Sequence, residues 1–225
     1  GAWYLPAPYD ADMLVRPAGA HGLLLEVGDP TVGGGAATDP LAWHAELVRR
    51  RAAGELTAVD IVPGATTVLL DGVPDPSAVA ALLPTWSPTM TTPGVGSGSP
   101  ARVVEVPVRF TGEDLAEVAE LWGCDRATAV ARLVGTELTV AFCGFAPGFA
   151  YLRGLPGEVP RLATPRPRVA AGSVALAGRY AGIYPTASPG GWRVVGHTEV
   201  TLFDPATDPP ALLQPGARVR LVAEP

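Results

Sequence analysis

Residues 87–101, SPTMTTPGVGSGSPA, form the longest stretch of small residues, Pro and Gly in the chain. Such composition reads as a linker or long loop, and it places a domain boundary there. The two sides have different characters, and the division is taken as residues 1–98 and 99–225.

Before the linker, strand-like runs alternate with helical ones. HGLLLEV (21–27) reads as a strand. Asp39-Pro40 is an N-cap followed by Pro at the first helical position, and LAWHAELVRRRAA runs on to Gly54 as a C-cap. The strands TAVDIV (57–62) and TTVLLD (66–71) follow, joined at Pro63-Gly64. Asp75-Pro76 repeats the capping pair and opens a helix through about Leu83. A β-α-β-β-α order predicts a small α+β sandwich of ferredoxin-like type.

After the linker, VVEVPVRF (103–110) alternates as a strand does. Thr111 and Asp114 have capping-box spacing ahead of DLAEVAELW, where Leu115, Val118, Ala119 and Trp122 make one apolar stripe. Gly123 ends that helix, and Asp125 caps a second with Ala129, Val130 and Leu133 inward. From Glu137 the helical period disappears. LTVAFCGF, GSVALAG, WRVVGHTEVTLF and ARVRLVAE are short β runs separated by Pro and Gly, the profile of a β-barrel or sandwich. The fold class is therefore α+β, with a ferredoxin-like domain ahead of a β-barrel domain.

The 225 residues are 48% hydrophobic and 17% charged, so a buried core is expected and wholesale disorder is not. A net charge of −6 argues against nucleic acid as a partner. All 16 basic residues are Arg. Without Lys the chain cannot by itself form a Walker A site, a Schiff base or a biotin attachment point. Cys124 and Cys143 lie in apolar surroundings without a CxxC pattern, so both are expected to be buried thiols in a reducing compartment. No apolar run approaches the ~18 residues of a spanning helix. No basic stretch leads into an apolar one at the N-terminus, so no signal peptide is expected and the location is read as cytoplasmic, without membrane contact.

HExxH, GxSxG, GxxxxGK[ST] and a post-strand GxGxxG are all missing. His21, His44 and His197 are far apart in sequence, which argues against a His-rich metal site, and no metal is expected from these residues. His44 reads as a packing or surface residue within a helix. His197 shares a strand face with Glu199, in either a structural or a chemical role.

Three Gly/Pro-rich clusters remain: GFAPGFAYLRGLP (144–156), PRLATPRPRVAAGSV (160–174) and GIYPTASPGGWRVVGHT (182–198). Pro147-Gly148 and Pro189-Gly190-Gly191 can present backbone N–H groups as anion nests. Arg161, Arg166 and Arg168 can clamp a carboxylate or phosphate. Tight barrel turns plugged by aromatics would use the same residues.

These clusters resemble the family of the B subunit of the bacterial ATP-dependent 5-oxoprolinase, also called allophanate hydrolase subunit 1. The family pattern GF-x-PGF-x-YL is met by Gly144, Phe145, Pro147, Gly148, Phe149, Tyr151 and Leu152. Paired Pro-Arg before a V-P-A-G-S-V run is met by Pro160-Arg161, Pro165-Arg166 and Val169 to Val174. The remaining blocks are met by Gly182 to Pro185, Ser188 to Trp192, Gly196 to Thr198 and Leu202 to Pro205.

The resemblance implies a ferredoxin-like N-terminal domain and a cyclophilin-like β-barrel. It implies partnership with the 5-oxoprolinase C subunit (allophanate hydrolase subunit 2) and with an A subunit. Together these would open the small molecule 5-oxo-L-proline to L-glutamate at the expense of ATP, with Mg2+ shared with a partner. The chain alone is expected to be inactive. Arg166 and Arg161 would then hold the carboxylate or a phosphate, and backbone near Ser173 and Gly190–Gly191 would donate to anionic oxygens. Pro147, Gly148, Phe149, Tyr151, Tyr184 and Trp192 would shape the pocket, with His197 as the group that titrates near neutral pH.

The resemblance also implies two alternatives: an inhibitor that docks on a sensor histidine kinase, and a carboxyl-transfer module for urea or another amide. A family His is Leu133 here and a family Tyr is Leu138, while Ala170 replaces the Pro of the V-P-A-G-S-V run. Leu133 continues the helix stripe, so the expected consequence is repacking.

Overall fold

The computed structural model describes residues 13–28, 38–89 and 103–224. Residues 90–101 of the linker, the 98/99 boundary and the extreme N-terminus lie outside them. The chain divides into two compact units, Gly1–Pro100 and Ala101–Pro225.

The first unit holds β1 (Leu14–Pro17), β2 (Leu23–Glu26), α1 (Pro40–Ala52), β3 (Asp60–Pro63), β4 (Thr67–Asp71) and α2 (Pro76–Leu82). Its sheet is antiparallel throughout, in the order β1-β2-β4-β3. Both Asp-Pro starts act as the sequence predicts: Asp39 accepts from the Leu41 N–H and Asp75 from the Ala78 N–H. Helix α1 ends one residue before its cap, Ala53, and Gly54 follows with φ 76°. Leu23, Leu25, Val68 and Leu70 project from the sheet onto Trp43 and Leu47 of α1, and this apolar face holds the unit together.

Strand β1 is absent from the sequence reading. LVRP is four residues long, ends in Pro and is half exposed, so it carries no alternation signal. It takes the sheet edge beside β2 through a hairpin.

The second unit contains β5 (Val103–Val108), α3 (Leu115–Leu121), α4 (Arg126–Gly135), β6 (Glu137–Cys143), β7 (Ala150–Arg153) and β8 (Arg166–Val169). It continues with β9 (Ser173–Ala177), β10 (Tyr180–Ile183), β11 (Ser188–Gly190), β12 (Arg193–His197) and β13 (Arg218–Ala223). Seven strands form one sheet in the order β12-β9-β10-β7-β6-β13-β5. Its two edges nearly meet: Arg109, just beyond β5, and His197 of β12 exchange backbone hydrogen bonds of 2.9 Å in both directions. The result is a nearly closed barrel-like sheet. Strands β8 and β11 form a separate two-stranded ribbon.

Alternation along β9 shows how the unit is layered. Val174 and Leu176 join one core cluster with Val106, Leu138, Leu152 and Leu221, whereas Ala175 and Ala177 join another with Phe149, Tyr184 and Trp192. Both faces of β9 are buried. Leu115, Val118, Ala129 and Leu133 from the two helices enter the first cluster. Leu133 and Leu138 are each fully buried there, as packing residues.

Three local expectations are corrected. The Asp114 carboxylate makes no capping hydrogen bond at α3, because it is engaged by strands far away in sequence. The WRVVGHTEVTLF run stops being a strand at His197, where β12 ends, so Glu199 does not share a strand with it. Cys124 and Cys143 are both free and only half buried; the Cys143 thiol donates to the Leu213 carbonyl at 3.4 Å. No described helix is long and apolar enough to cross a membrane.

Candidate functional site

The predicted site residues gather at the second core cluster of the barrel unit. Register places Ser173 opposite His197 of β12, and the Tyr184 N–H donates to the Ser173 carbonyl at 3.0 Å on the other side. Cross-strand partners project to the same face. His197, Ser173 and Tyr184 therefore form one row across β12, β9 and the end of β10.

The next row carries the aromatics. Phe149 meets Tyr151, Tyr184 and Trp192 edge to face, at ring centroid distances of 5.1, 5.5 and 5.5 Å. Gly182 leaves the room these rings need, since a Cβ there would lie 2.8 Å from the Phe149 ring and 3.0 Å from the Trp192 ring. Tyr184 and Phe149 are each 2% exposed, and Trp192 and Ser173 each 6%. Phe149, Tyr184 and Trp192 pack on one another as a small core, and Tyr151 is half buried beside them.

Two loops and a ribbon lie over that core. Arg166 of β8 stands directly opposite Gly190 of β11. A Cβ at Gly190 would fall on the Tyr184 hydroxyl and within 3.0 Å of its Cζ, so a side chain is excluded there. Gly148 has φ 82° and a Cβ there would meet the Leu202 carbonyl at 3.0 Å, which explains a glycine after Pro147. Gly191 accepts from the Leu162 N–H at 2.8 Å and thereby ties the 160–168 segment to the SPGGW loop.

The arginines divide into two kinds. Arg166 places Nε 2.9 Å from Glu113 and Nη2 2.8 Å from Asp114, and it donates to the Trp192 carbonyl. Arg193, 8% exposed, donates to the Pro160 carbonyl and pairs with Glu117. Both are internal struts. Arg161 is exposed, has no carboxylate partner among the described residues, and is fixed on both sides: Pro160 is held by Arg193 and Leu162 by Gly191. Burial pushes the Tyr184 hydroxyl pKa above its ordinary value. Arg161 pulls it back down, as do, more weakly, Arg166 and a hydrogen bond with the Trp192 backbone.

His197 is half buried, its ring against Gly172. The carboxylate expected beside it, Glu199, is exposed and paired with Arg109 at 2.5 Å.

Three residues escape sequence reasoning. Asp114 carries the spacing of a cap and serves instead as a long-range anchor. Arg193 has no local signal, since its partner Glu117 is 76 residues away. Phe145 belongs to a motif that gives it no role of its own, yet it has φ 68° and is 64% exposed.

A two-layer unit is followed by a nearly closed barrel whose Gly/Pro loops converge over one aromatic core. The family described as carboxyltransferase domain, subdomain C and D, matches residues 13–213, and the chain belongs to it. A stretch of 129 residues is 46% identical to the 5-oxoprolinase B subunit of Escherichia coli O157:H7, covering 55% of this chain and 59% of that protein. The chain thus spans little more than half the length of that curated relative. The crystal structure of TTHA0988 superposes with a TM-score of 0.73 at 33% identity, over 94% of this chain and 41% of that one. The urea carboxylase of Kluyveromyces lactis shares the fold, with a TM-score of 0.68 at 18% identity, over all of this chain and 23% of that one.

Proposed function

We propose that this chain is the B-type subunit of an ATP-dependent 5-oxoprolinase, converting 5-oxo-L-proline, ATP and water to L-glutamate, ADP and phosphate. It acts with C-type and A-type partners and is inactive alone. The observation that carries this reading is the 46% identity to a protein named as the B subunit of 5-oxoprolinase. In the same reading the two units are of ferredoxin-like and cyclophilin-like type; the antiparallel β1-β2-β4-β3 order and the near-closure of the seven-stranded sheet support this.

The residues suit a substrate that is a small lactam bearing a carboxylate. Arg161 is an exposed guanidinium on a backbone tethered at Pro160 and Leu162, and a guanidinium takes a carboxylate in two parallel hydrogen bonds. The tethered backbone at Gly190–Gly191 lies next to it for oxygens that gain charge as the lactam opens. In this proposal Arg166 acts indirectly, by holding the loop that presents those glycines.

ATP supplies the phosphoryl group that makes a resonance-stabilised lactam attackable. Two arginines of the described site are not available to an ATP–Mg2+ group. Arg166 and Arg193 are already matched by Glu113, Asp114 and Glu117. Among the described residues no three His, Cys, Asp or Glu side chains stand together as a metal site. In this proposal ATP and its Mg2+ are shared between this chain and a partner subunit.

The test is phosphate release from ATP by the complex that this chain forms with its host's other subunits, with and without 5-oxoproline. Stimulation that vanishes when this chain is omitted is the expected result. A stable complex without stimulation would transfer the reading to another amide, the carboxyl-transfer alternative that the urea carboxylase fold suggests.

A further inference from the structure

Phe145 is held in a conformation that its residue type avoids. The Ala146 N–H donates to the Gly144 carbonyl at 2.8 Å across Phe145, whose φ is 68°. That is a γ-turn of the positive-φ kind, which is rare and strained. Phe145 is the one residue other than Gly with positive φ among the described residues. The turn is locked by its surroundings: Gly144 donates to the Phe149 carbonyl at 3.2 Å, and Phe149 to the Ala146 carbonyl at 2.9 Å. Gly148, three residues on, is packed against Leu202 and Phe203.

Burial does not account for the strain. The ring touches Phe149 and Tyr184 only edge to face, at centroid distances of 5.3 and 6.5 Å, and Phe145 remains 64% exposed. Phe149 is already packed by Trp192, Tyr151 and Tyr184. A glycine would accept this backbone without penalty, and Gly144 next door has open space where no side chain is used. Strain combined with exposure beside a candidate site points to use rather than packing.

We propose that Phe145 is a specificity-determining residue of that site. Its exposed ring, set edge to face against Phe149 and Tyr184, forms the wall against which a flat cyclic amide lies. This inference rests on the lactam-binding reading above and adds the residue that selects a flat ring over an open-chain amide. Aromatic contact of this kind is worth about tenfold in affinity.

The experiment uses the co-purified complex with Phe145→Gly, Phe145→Ala and Phe145→Tyr, measuring melting temperature, assembly by size exclusion, and KM for 5-oxoproline in stimulated phosphate release. Gly and Ala both remove the ring, but only Gly relieves the turn. The Gly variant is expected to melt above the Ala variant by about 2–4 °C, the reverse of the usual order. Both should assemble and raise KM about tenfold, with the change in KM rather than kcat, and Phe145→Tyr should restore KM to within about twofold. An Ala variant that melts at or above the Gly variant overturns the role of strain. Unchanged KM in both, or loss of assembly, overturns the specificity role, the latter by making Phe145 an interface residue. A wild-type complex that 5-oxoproline does not stimulate overturns the lactam reading itself and this inference with it.

Discussion

Arg166 and Asp114, 52 residues apart, meet with Nη2 2.8 Å from Oδ1, and the other Asp114 oxygen accepts from the Val194 N–H at 2.6 Å. One carboxylate thereby joins the start of α3, the β8 ribbon and β12, and the Trp192 carbonyl is held by the same guanidinium. Asp114 is only 6% exposed, so water cannot take over its partners' roles.

Arg166→Ala should cost about 3 kcal/mol because it leaves the buried Asp114 carboxylate poorly compensated, and Asp114→Ala should cost less because Glu113 still pairs with Arg166. Urea denaturation of the two single variants and the double variant checks it. The double variant should be less destabilised than the sum of the singles by at least about 1 kcal/mol. Additive losses would mean that the pair is not coupled.

Gly190 and Tyr184 make a second, steric prediction. Gly190→Ala places a methyl on the Tyr184 hydroxyl and should destabilise by about 1–3 kcal/mol. Tyr184→Phe removes the oxygen that is struck, so the double variant should recover part of that loss. Melting temperatures of the three proteins decide the matter, and no recovery in the double variant would show that the ribbon moves instead.

How much of this is legible in the sequence depends on the range over which each residue acts. Asp39, Asp75 and Asp125 cap helices through residues two or three positions away, and each acts as the sequence predicts. Loops carrying Phe149, Tyr184, Gly190 and Trp192 are recognisable from their composition, although that composition does not distinguish a packed aromatic core from a pocket. Asp114 and Arg193 have partners 33 to 80 residues away, and no local pattern encodes such pairs. Strand β1 is invisible because an edge strand of four residues with two exposed positions has nothing to alternate.

His44 predicts a pH dependence. Burial is the main cause that pushes its imidazole pKa below the ordinary 6.5, aided by Arg51 and opposed by a hydrogen bond with the Ile61 backbone and by Asp60. The unfolded chain therefore binds this proton more tightly than the folded one. Its contribution to stability is full above about pH 6.5 and falls as pH drops below that value, with a slope of up to about 1.4 kcal/mol per pH unit. Urea midpoints at pH 7.5 and 5.5 should show the loss, and His44→Gln should reduce it. An equal loss in His44→Gln would assign the effect to other groups.

The assignment of Arg161 as a presented guanidinium, distinct from the struts Arg166 and Arg193, is tested most directly by 5-oxoproline-stimulated phosphate release from the assembled complex carrying Arg161→Ala. The expected result is that kcat/KM for 5-oxoproline falls by about a hundredfold, as follows from losing a charged, bidentate contact, while the melting temperature stays within about 1 °C of the wild-type complex. Activity within about threefold of wild type would overturn the assignment, because the exposed Arg161 guanidinium would then not be the one that holds the substrate.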